Sequence, residues 1–327
     1  MSWHHSAERG SAWGLDFMAW TLRRLGMWPT RVVTEFVVVY FYLTGRRARL
    51  ASCAYLRRVH AAKAEVRHLR NRRLFWASYQ HFRTFGIVSL DRLALWTDRS
   101  STFTIDFPNR QLLQDLHDRG QGAVLLGAHI GSFEAMRVLS ERSGKAVYLL
   151  MFQGASPRLY QLLARLAPAV QQRVVHLSPD DPSTVLELQR RVEAGHWIAI
   201  LGDRKELTSA KRVVRTQLLG APIELPSGPF FLAALLRCPV YTTFCVRTGN
   251  RRYELWVEKL AEKIELRRAH REEDVRPYVD RYAAAMEKIC LRAPLQWFNF
   301  YDAWTSTPEG SGSPRAAEIE LAHDDRL

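Results

Sequence analysis

A histidine and an acidic residue follow a short apolar run in LLGAHIGSFEAMRVL, residues 125–139. The His129 side chain exchanges its proton near neutral pH, and Glu134 follows it five positions later. If His129 ends a strand, Gly131 makes the turn and Ser132 caps the next helix, the Glu134 carboxylate falls in the first helical turn. From there it could reach back to an imidazole nitrogen. A neutral histidine held by a carboxylate is a general base, so this spacing predicts acid–base catalysis at a strand end.

A purely structural interpretation accounts for part of the same segment. Serine is a favourable helix N-cap, and an acidic residue in the first turn stabilises the positive end of the helix. Ser132 and Glu134 therefore need no catalytic role to be explained. His129 is not explained in this way, because a helix cap does not require a histidine before it.

A second apolar run also ends in charged residues. In HWIAILGDRKE, Asp203 and Arg204 come two and three residues after the last apolar side chain. Burial of either charge is costly, so we expect the two to be ion-paired on the surface or to face a cleft. Further along, Lys211, Arg212 and Arg215 form a basic stretch suited to phosphate groups. The following PSGP segment predicts a rigid turn before a helix whose N-terminal amides could hold an anion.

The elements that would position these residues alternate between strand and helix. From about residue 120, apolar runs of four to eight residues alternate with helical patterns of about a dozen, which indicates βαβ units. We therefore predict an α/β fold with a mostly parallel central sheet flanked by helices. Ligands bind at the carboxyl ends of the strands in such sheets, where both polar segments fall. The segment GNRR separates two late strand patterns and predicts a hairpin.

The predicted organisation has three parts. Residues 1–100 form a basic, amphipathic helical region that associates with a membrane, 101–305 form the α/β domain, and 306–327 form a disordered polar tail. Plain core helices of a soluble domain are the alternative for the first part. Its apolar block at 32–44 contains Glu35 and is shorter than the roughly 20 residues of a bilayer span, and the N-terminus lacks a signal-peptide pattern.

Charge and cysteine content narrow the possible partners. The 327-residue chain has a net charge of +14, and residues 1–100 hold 17 Lys and Arg against 6 Asp and Glu, hence 17 − 6 = +11. This excess predicts an acidic partner, which could be nucleic acid, an anionic membrane surface or an acidic carrier protein. The four cysteines have no C-x-x-C spacing, so neither a zinc site nor a disulfide scaffold is expected, and a reducing compartment fits.

The order of these motifs resembles a known enzyme family. The H-x4-E segment in GAHIGSFE is similar to the signature of glycerolipid and lipid A type acyltransferases. Further blocks resemble the bacterial branch with the lipid A secondary acyltransferases, and together they cover roughly residues 8–305. Three segments look closer still to predicted acyltransferases of fatty-acid-like and aryl polyene biosynthesis clusters, namely ERGSAWGLDFMAW, YFYLTGRRARLASCAYLRRV and QWFNFYDAW.

The resemblance implies roles for individual residues. His129 would take the proton from an acceptor hydroxyl, and Glu134 would orient the imidazole. Arg204 would hold a phosphate or the developing oxyanion, and Gly228 would shape the acceptor site. The remaining residues assigned to substrate binding are Asp203, Ser132 and Ser227.

Two positions depart from the family pattern. Ala128 precedes the histidine where many members have asparagine, and Ser227 stands where the glycerolipid branch has an acidic residue. Glycerol-3-phosphate is therefore not the expected acceptor.

The resemblance also implies substrates and location. The donor would be an acyl carrier protein or coenzyme A thioester, and the acceptor a lipid or glycolipid at the cytoplasmic face of the bacterial inner membrane. No cofactor, metal or nucleic acid is expected. Three alternatives stay open at this point: a non-catalytic lipid-binding relative, a basic nucleic-acid-binding protein, and a hydrolase with thioesterase activity, although G-x-S-x-G is absent from the sequence.

Overall fold

A computed structural model describes residues 12–63, 71–96, 100–142, 144, 146–152, 161, 164–177, 182–204 and 212–304. The tail predicted to be disordered, 306–327, and the expected basic residue Lys211 lie outside them. The helices are α1 (Ala12–Arg24), α2 (Met27–Thr44), α3 (Arg46–Ala62), α4 (Asn71–Leu95), α5 (Arg110–Asp118), α6 (Phe133–Arg142), α7 (Pro168–Gln171), α8 (Pro182–Glu193), α9 (Gly228–Leu236) and α10 (Arg271–Arg292). The strands are β1 (Thr104–Asp106), β2 (Ala123–Gly127), β3 (Val147–Phe152), β4 (Val174–Leu177), β5 (Trp197–Leu201), β6 (Val213–Leu218), β7 (Ala221–Pro226), β8 (Val240–Gly249) and β9 (Arg252–Ala261).

The main sheet has the order β1-β9-β8-β2-β5-β3-β4. Strands β4, β3, β5, β2 and β8 run parallel to one another, and β1 runs parallel to β9. Strand β9 returns antiparallel to β8 after a short turn, which confirms the hairpin predicted at GNRR. The helices that separate the strands flank this sheet, and α1 to α4 precede it. The predicted α/β class is confirmed.

The central strands β2 and β5 are buried on both faces, which is typical of parallel sheets covered by helices. Leu126 and Ile200 face one apolar core, whereas Leu125 and Ala199 face the other, because side chains alternate along a strand. His129 and Asp203 are the first titratable side chains after these apolar strands, and both follow at the same edge of the sheet.

One hairpin was not predicted from the sequence. Strands β6 and β7 pair antiparallel in a separate two-stranded sheet, with Leu218 opposite Ala221. The two residues between them, Leu219 and Gly220, both have positive φ, 53° and 72°. The sequence lacks the Asn-Gly or Asp-Gly pair that usually signals this turn, so its pattern gave little indication of a hairpin.

Helices α1, α2 and α4 expose large apolar side chains to solvent. The exposed fraction is 77% for Trp28, 73% for Phe36, 65% for Leu43 and 59% for Trp76. Patches of this kind on a folded protein mark interaction surfaces. Within the part of the chain described, no helix has both the length and the apolar character needed to cross a bilayer.

Candidate active site

His129 and Asp203 meet at the carboxyl edge of the sheet. Gly127 of β2 and Leu201 of β5 are register partners, and each lies two residues before one member of this pair. His129 Nδ1 is 2.8 Å from Asp203 Oδ1, and the His129 backbone N–H donates to Oδ2 at 3.0 Å. The Asp203 side chain is fully buried, whereas 30% of the His129 side chain is exposed. The sheet edge thus holds a partly accessible imidazole against a buried carboxylate.

The charges in this pair follow from its surroundings. Burial alone would raise the pKa of Asp203, but His129, Arg204 and the Trp297 indole together hold that pKa well below its usual range. An ionised carboxylate only accepts hydrogen bonds, so Nδ1 of His129 carries the hydrogen and Nε2 carries the lone pair. Burial and then the nearby Arg204 lower the pKa of His129, while Asp203 opposes them. His129 is therefore neutral at pH 7 and able to accept a proton at Nε2.

The segment after α10 closes over the pair. Trp297 Nε1 donates to Asp203 Oδ2 at 2.9 Å, and the Phe298 N–H donates to the His129 carbonyl at 2.8 Å. The Gly131 N–H donates to the Gln296 carbonyl at 2.9 Å, and Trp297 is 1% exposed. Sequence reasoning did not include Trp297 in the site. Its only signal was the resemblance of QWFNFYDAW to a family segment, because an indole 94 residues from Asp203 leaves no local pattern.

The turn after β2 has the form that the sequence predicts. Gly131 has φ 62°, and a Cβ atom there would lie 2.0 Å from the Cys245 carbonyl oxygen, so only glycine fits. Ser132 Oγ accepts the Ala135 N–H at 3.3 Å and acts as the helix cap. Ser132 has no exposed surface, so its hydroxyl is not available to a substrate in this arrangement.

Glu134 makes a different contact from the one expected. It lies in the first turn of α6, but its Oε2 accepts from Arg137 Nε at 2.9 Å, with both side chains at least 92% buried. Glu134 was expected to orient the imidazole of His129, but the carboxylate bonded to that ring, at Nδ1, is Asp203. The reason is the parallel register, which carries Asp203 directly alongside His129. The expected pairing is corrected: the carboxylate on the imidazole belongs to Asp203, which the sequence had assigned to substrate binding.

Arg204 lies beside the histidine–carboxylate pair. One terminal nitrogen of its guanidinium donates to the Phe298 carbonyl at 2.8 Å. Burial lowers the pKa of Arg204, whereas the negative charge of Asp203 raises it. The guanidinium stays charged, as arginine does in proteins. Arg92 of α4 adds a second positive charge, which also lowers the pKa of His129. The surroundings of the base therefore favour an anionic group.

Ser227 and Gly228 lie at the start of α9, after the β6–β7 hairpin. The Ser227 hydroxyl donates to the Arg212 carbonyl at 3.1 Å, and Ser227 is 3% exposed. Apart from its two chain neighbours and the backbone of its own helix, no described heavy atom lies within 4 Å of the position that a Cβ atom would take at Gly228. Among the described residues, no hydrogen bond joins either one to His129 or Asp203. The same residues contain no group of three or more His, Cys, Asp or Glu side chains that could hold a metal ion.

The fold and these contacts together define an α/β protein with a histidine–carboxylate pair at the carboxyl edge of a parallel sheet. The family model for bacterial lipid A biosynthesis acyltransferases matches residues 66–306, and the chain belongs to this family. It is an acyltransferase, which confirms the class of enzyme indicated by the sequence. Its relation to aryl polyene clusters stays a prediction. No curated protein matches the chain.

Proposed function

We propose that this enzyme transfers a fatty-acyl or polyene-acyl group from a thioester donor to a hydroxyl of a lipid A-like lipid or glycolipid. The observation that carries this proposal is the His129–Asp203 pair, which leaves Nε2 of a neutral imidazole as the accessible base. Family membership supports the acyl transfer and a lipid acceptor.

The proposed reaction needs only the side chains already described. Nε2 of His129 takes the proton of the acceptor hydroxyl as its oxygen attacks the thioester carbonyl carbon. Asp203 stabilises the imidazolium that forms. Collapse of the tetrahedral intermediate breaks the carbon–sulfur bond, and the imidazolium returns the proton to the sulfur. The products are an ester and a free thiol, and no acyl-enzyme forms.

Arg204 supplies the positive charge in this proposal. Its guanidinium would stabilise the oxyanion of the intermediate or hold a phosphate group of the acceptor. Arg92 would reinforce either function from the side of α4. Acyl carrier protein and coenzyme A are both suitable donors, because the acidic surface of the first and the phosphates of the second complement a basic protein.

The exposed apolar side chains of α1, α2 and α4 support association with a membrane. These helices contribute Trp28, Phe36 and Trp76 to the surface, and the first 100 residues carry the charge excess of +11. Aromatic and arginine side chains suit the headgroup region of an anionic leaflet. We place the enzyme as a peripheral protein at the cytoplasmic face of the bacterial inner membrane.

A transfer assay tests the function directly. Purified enzyme is incubated with membranes and either labelled acyl carrier protein thioester or labelled acyl-coenzyme A, and the lipids are analysed by mass spectrometry. We expect a new acylated lipid, formed about 10³-fold more slowly by His129→Gln. His270→Gln is a matched control, because the exposed His270 also contacts a carboxylate, with Nδ1 3.0 Å from Glu273.

Three outcomes distinguish the possibilities. Label recovered in a lipid supports acyl transfer and identifies both the chain and the acceptor. Label released only as free fatty acid would assign a thioesterase instead. Full activity of the folded His129→Gln variant would remove His129 as the base.

A further inference from the structure

A second buried histidine lies behind the site. His81 of α4 has no exposed surface and forms two hydrogen bonds. Its Nδ1 is 2.9 Å from the Ser52 hydroxyl of α3, and its Nε2 is 2.9 Å from the Trp297 carbonyl oxygen. The Ser78 hydroxyl in turn donates to Ser52 at 3.0 Å. The proposed reaction does not use this histidine, and it is too deeply buried to contact a substrate.

The direction of each hydrogen bond can be assigned. A carbonyl oxygen only accepts, so Nε2 of His81 carries a hydrogen and donates it to Trp297. Burial lowers the pKa of His81 to about 4, so the ring is neutral at pH 7 and Nδ1 has a lone pair. Ser52 therefore donates to Nδ1 and accepts from Ser78. The hydroxyl hydrogens of Ser78 and Ser52 and the Nε2 hydrogen of His81 therefore each have an acceptor, which fixes the tautomer and the ring orientation.

Trp297 connects His81 to Asp203: its carbonyl accepts from His81, and its indole donates to Asp203. The Trp297 indole donates to the same carboxylate oxygen that accepts the His129 backbone N–H. The Trp297 ring also packs edge-on against Tyr55 of α3 at 5.2 Å, and His81 stacks on Phe298 at 6.2 Å. The backbone of Trp297 is thus fixed by α4 at a point close to the catalytic pair.

We propose that His81 is a positioning residue of the active site, which keeps Trp297 in place so that its indole supports the carboxylate behind His129. The proposal rests on the proposed function for its kinetic consequences. Its effect on the protonation of His129 is independent of that function, because the titration of His129 can be measured without turnover.

The predicted effect follows from the charge on Asp203. If Trp297 shifts and its indole no longer donates to Oδ2, the negative charge of the Asp203 carboxylate is less offset by hydrogen bonds. It then stabilises protonated His129 more strongly. The titration midpoint of His129 should then rise, by about half a pH unit. The turnover number should fall about tenfold or more, with little change in KM, since His81 does not contact substrate.

Three replacements separate the two hydrogen bonds of His81. His81→Gln places an amide N–H near the position of Nε2 and should keep the donor to Trp297. His81→Asn places its amide near Nδ1, so it keeps a partner for Ser52 and loses Trp297. His81→Phe removes both bonds at similar volume. We expect near wild-type behaviour from the first variant and the same defect from the other two.

The test is a nuclear magnetic resonance titration of the full chain labelled with ¹³C-histidine. The His129 signal is identified by its loss in His129→Gln, and turnover is measured in parallel. Ser140→Ala is the control for general destabilisation, because Ser140 is buried in α6 and, among the described residues, its hydroxyl bonds within that helix, to the Met136 carbonyl.

The outcomes separate this proposal from the proposed function. A raised His129 midpoint in His81→Asn and His81→Phe, but not in His81→Gln or Ser140→Ala, supports the positioning role even if no acyl transfer is found. An unchanged midpoint in folded His81→Phe would overturn it. If His81→Phe does not fold, the comparison of His81→Asn with His81→Gln decides, and equal midpoints would overturn it.

Discussion

Replacement of Asp203 by asparagine is the most direct test of the catalytic pair. Oδ2 of Asp203 accepts two hydrogen bonds, from the His129 backbone and the Trp297 indole, and Oδ1 accepts one from His129 Nδ1. An asparagine has a single acceptor oxygen, which should occupy the Oδ2 position because two donors converge there. Its NH₂ group then faces Nδ1. The imidazole must accept at Nδ1 and carry its hydrogen on Nε2, which is the wrong tautomer for a base.

The size of the loss can be worked from the distance between the two groups. A charge pair 2.8 Å apart, the separation of Nδ1 and Oδ1, is worth about 6 kcal/mol at an effective dielectric constant of 20. Solvent at the partly exposed imidazole reduces this to about 4–5 kcal/mol. The asparagine variant no longer gives the transition state this stabilisation, and the tautomer is also unfavourable. We expect the turnover number to fall about 10³- to 10⁴-fold.

The assay compares transfer of the labelled acyl group by Asp203→Asn and Glu134→Gln, with folding checked by thermal unfolding. Glu134→Gln breaks a buried ion pair with Arg137 and should lower stability by about 3–5 kcal/mol. In the folded fraction its turnover number should stay within about tenfold of wild type. A folded Asp203→Asn enzyme with near wild-type turnover would refute the assignment of the carboxylate. A loss of turnover larger than tenfold in folded Glu134→Gln would instead indicate that Glu134 takes part in catalysis.

Further predictions concern charge, pH and the membrane surface. Arg204→Met removes a cation that lowers the pKa of His129, so the acidic limb of the pH–rate profile should move to higher pH, with turnover about 10²-fold lower. Buried His81 has a pKa of about 4, so unfolding releases a site that binds protons from pH 6.5 downward. Denaturant titrations should therefore show the free energy of unfolding fall by about 3 kcal/mol as the pH drops from 6.5 to 4. The His81→Phe variant should lack this part of the decrease. Phe36→Asp should weaken sedimentation with phosphatidylglycerol vesicles at least tenfold, whereas Leu186→Asp, also exposed but on α8, should not; equal effects would argue against a defined face.

The sheet and the two polar strand ends could be predicted because their signals are local. Apolar runs of strand length alternate with helical patterns, and a charged residue after such a run stands out. The β6–β7 hairpin was missed because its turn uses Leu219 at φ 53°, a conformation that leucine rarely adopts. The hairpin packs on α10, where the Thr216 hydroxyl donates to Asp280 at 2.6 Å and the Leu219 N–H donates to Glu287, and these long-range contacts leave no local sequence pattern.

The carboxylate that contacts His129 differs from the expected one for a more general reason. Glu134 is close to His129 in sequence, and a short spacing can be evaluated without knowing the fold. Asp203 is 74 residues away, but β2 and β5 are paired with that same offset, so Gly127 lies opposite Leu201 and His129 opposite Asp203. Sequence reasoning named both strand ends and placed them at one edge of the sheet. It lacked the strand order and the register, which depend on how whole strands pack, and these decide which acidic residue reaches the imidazole.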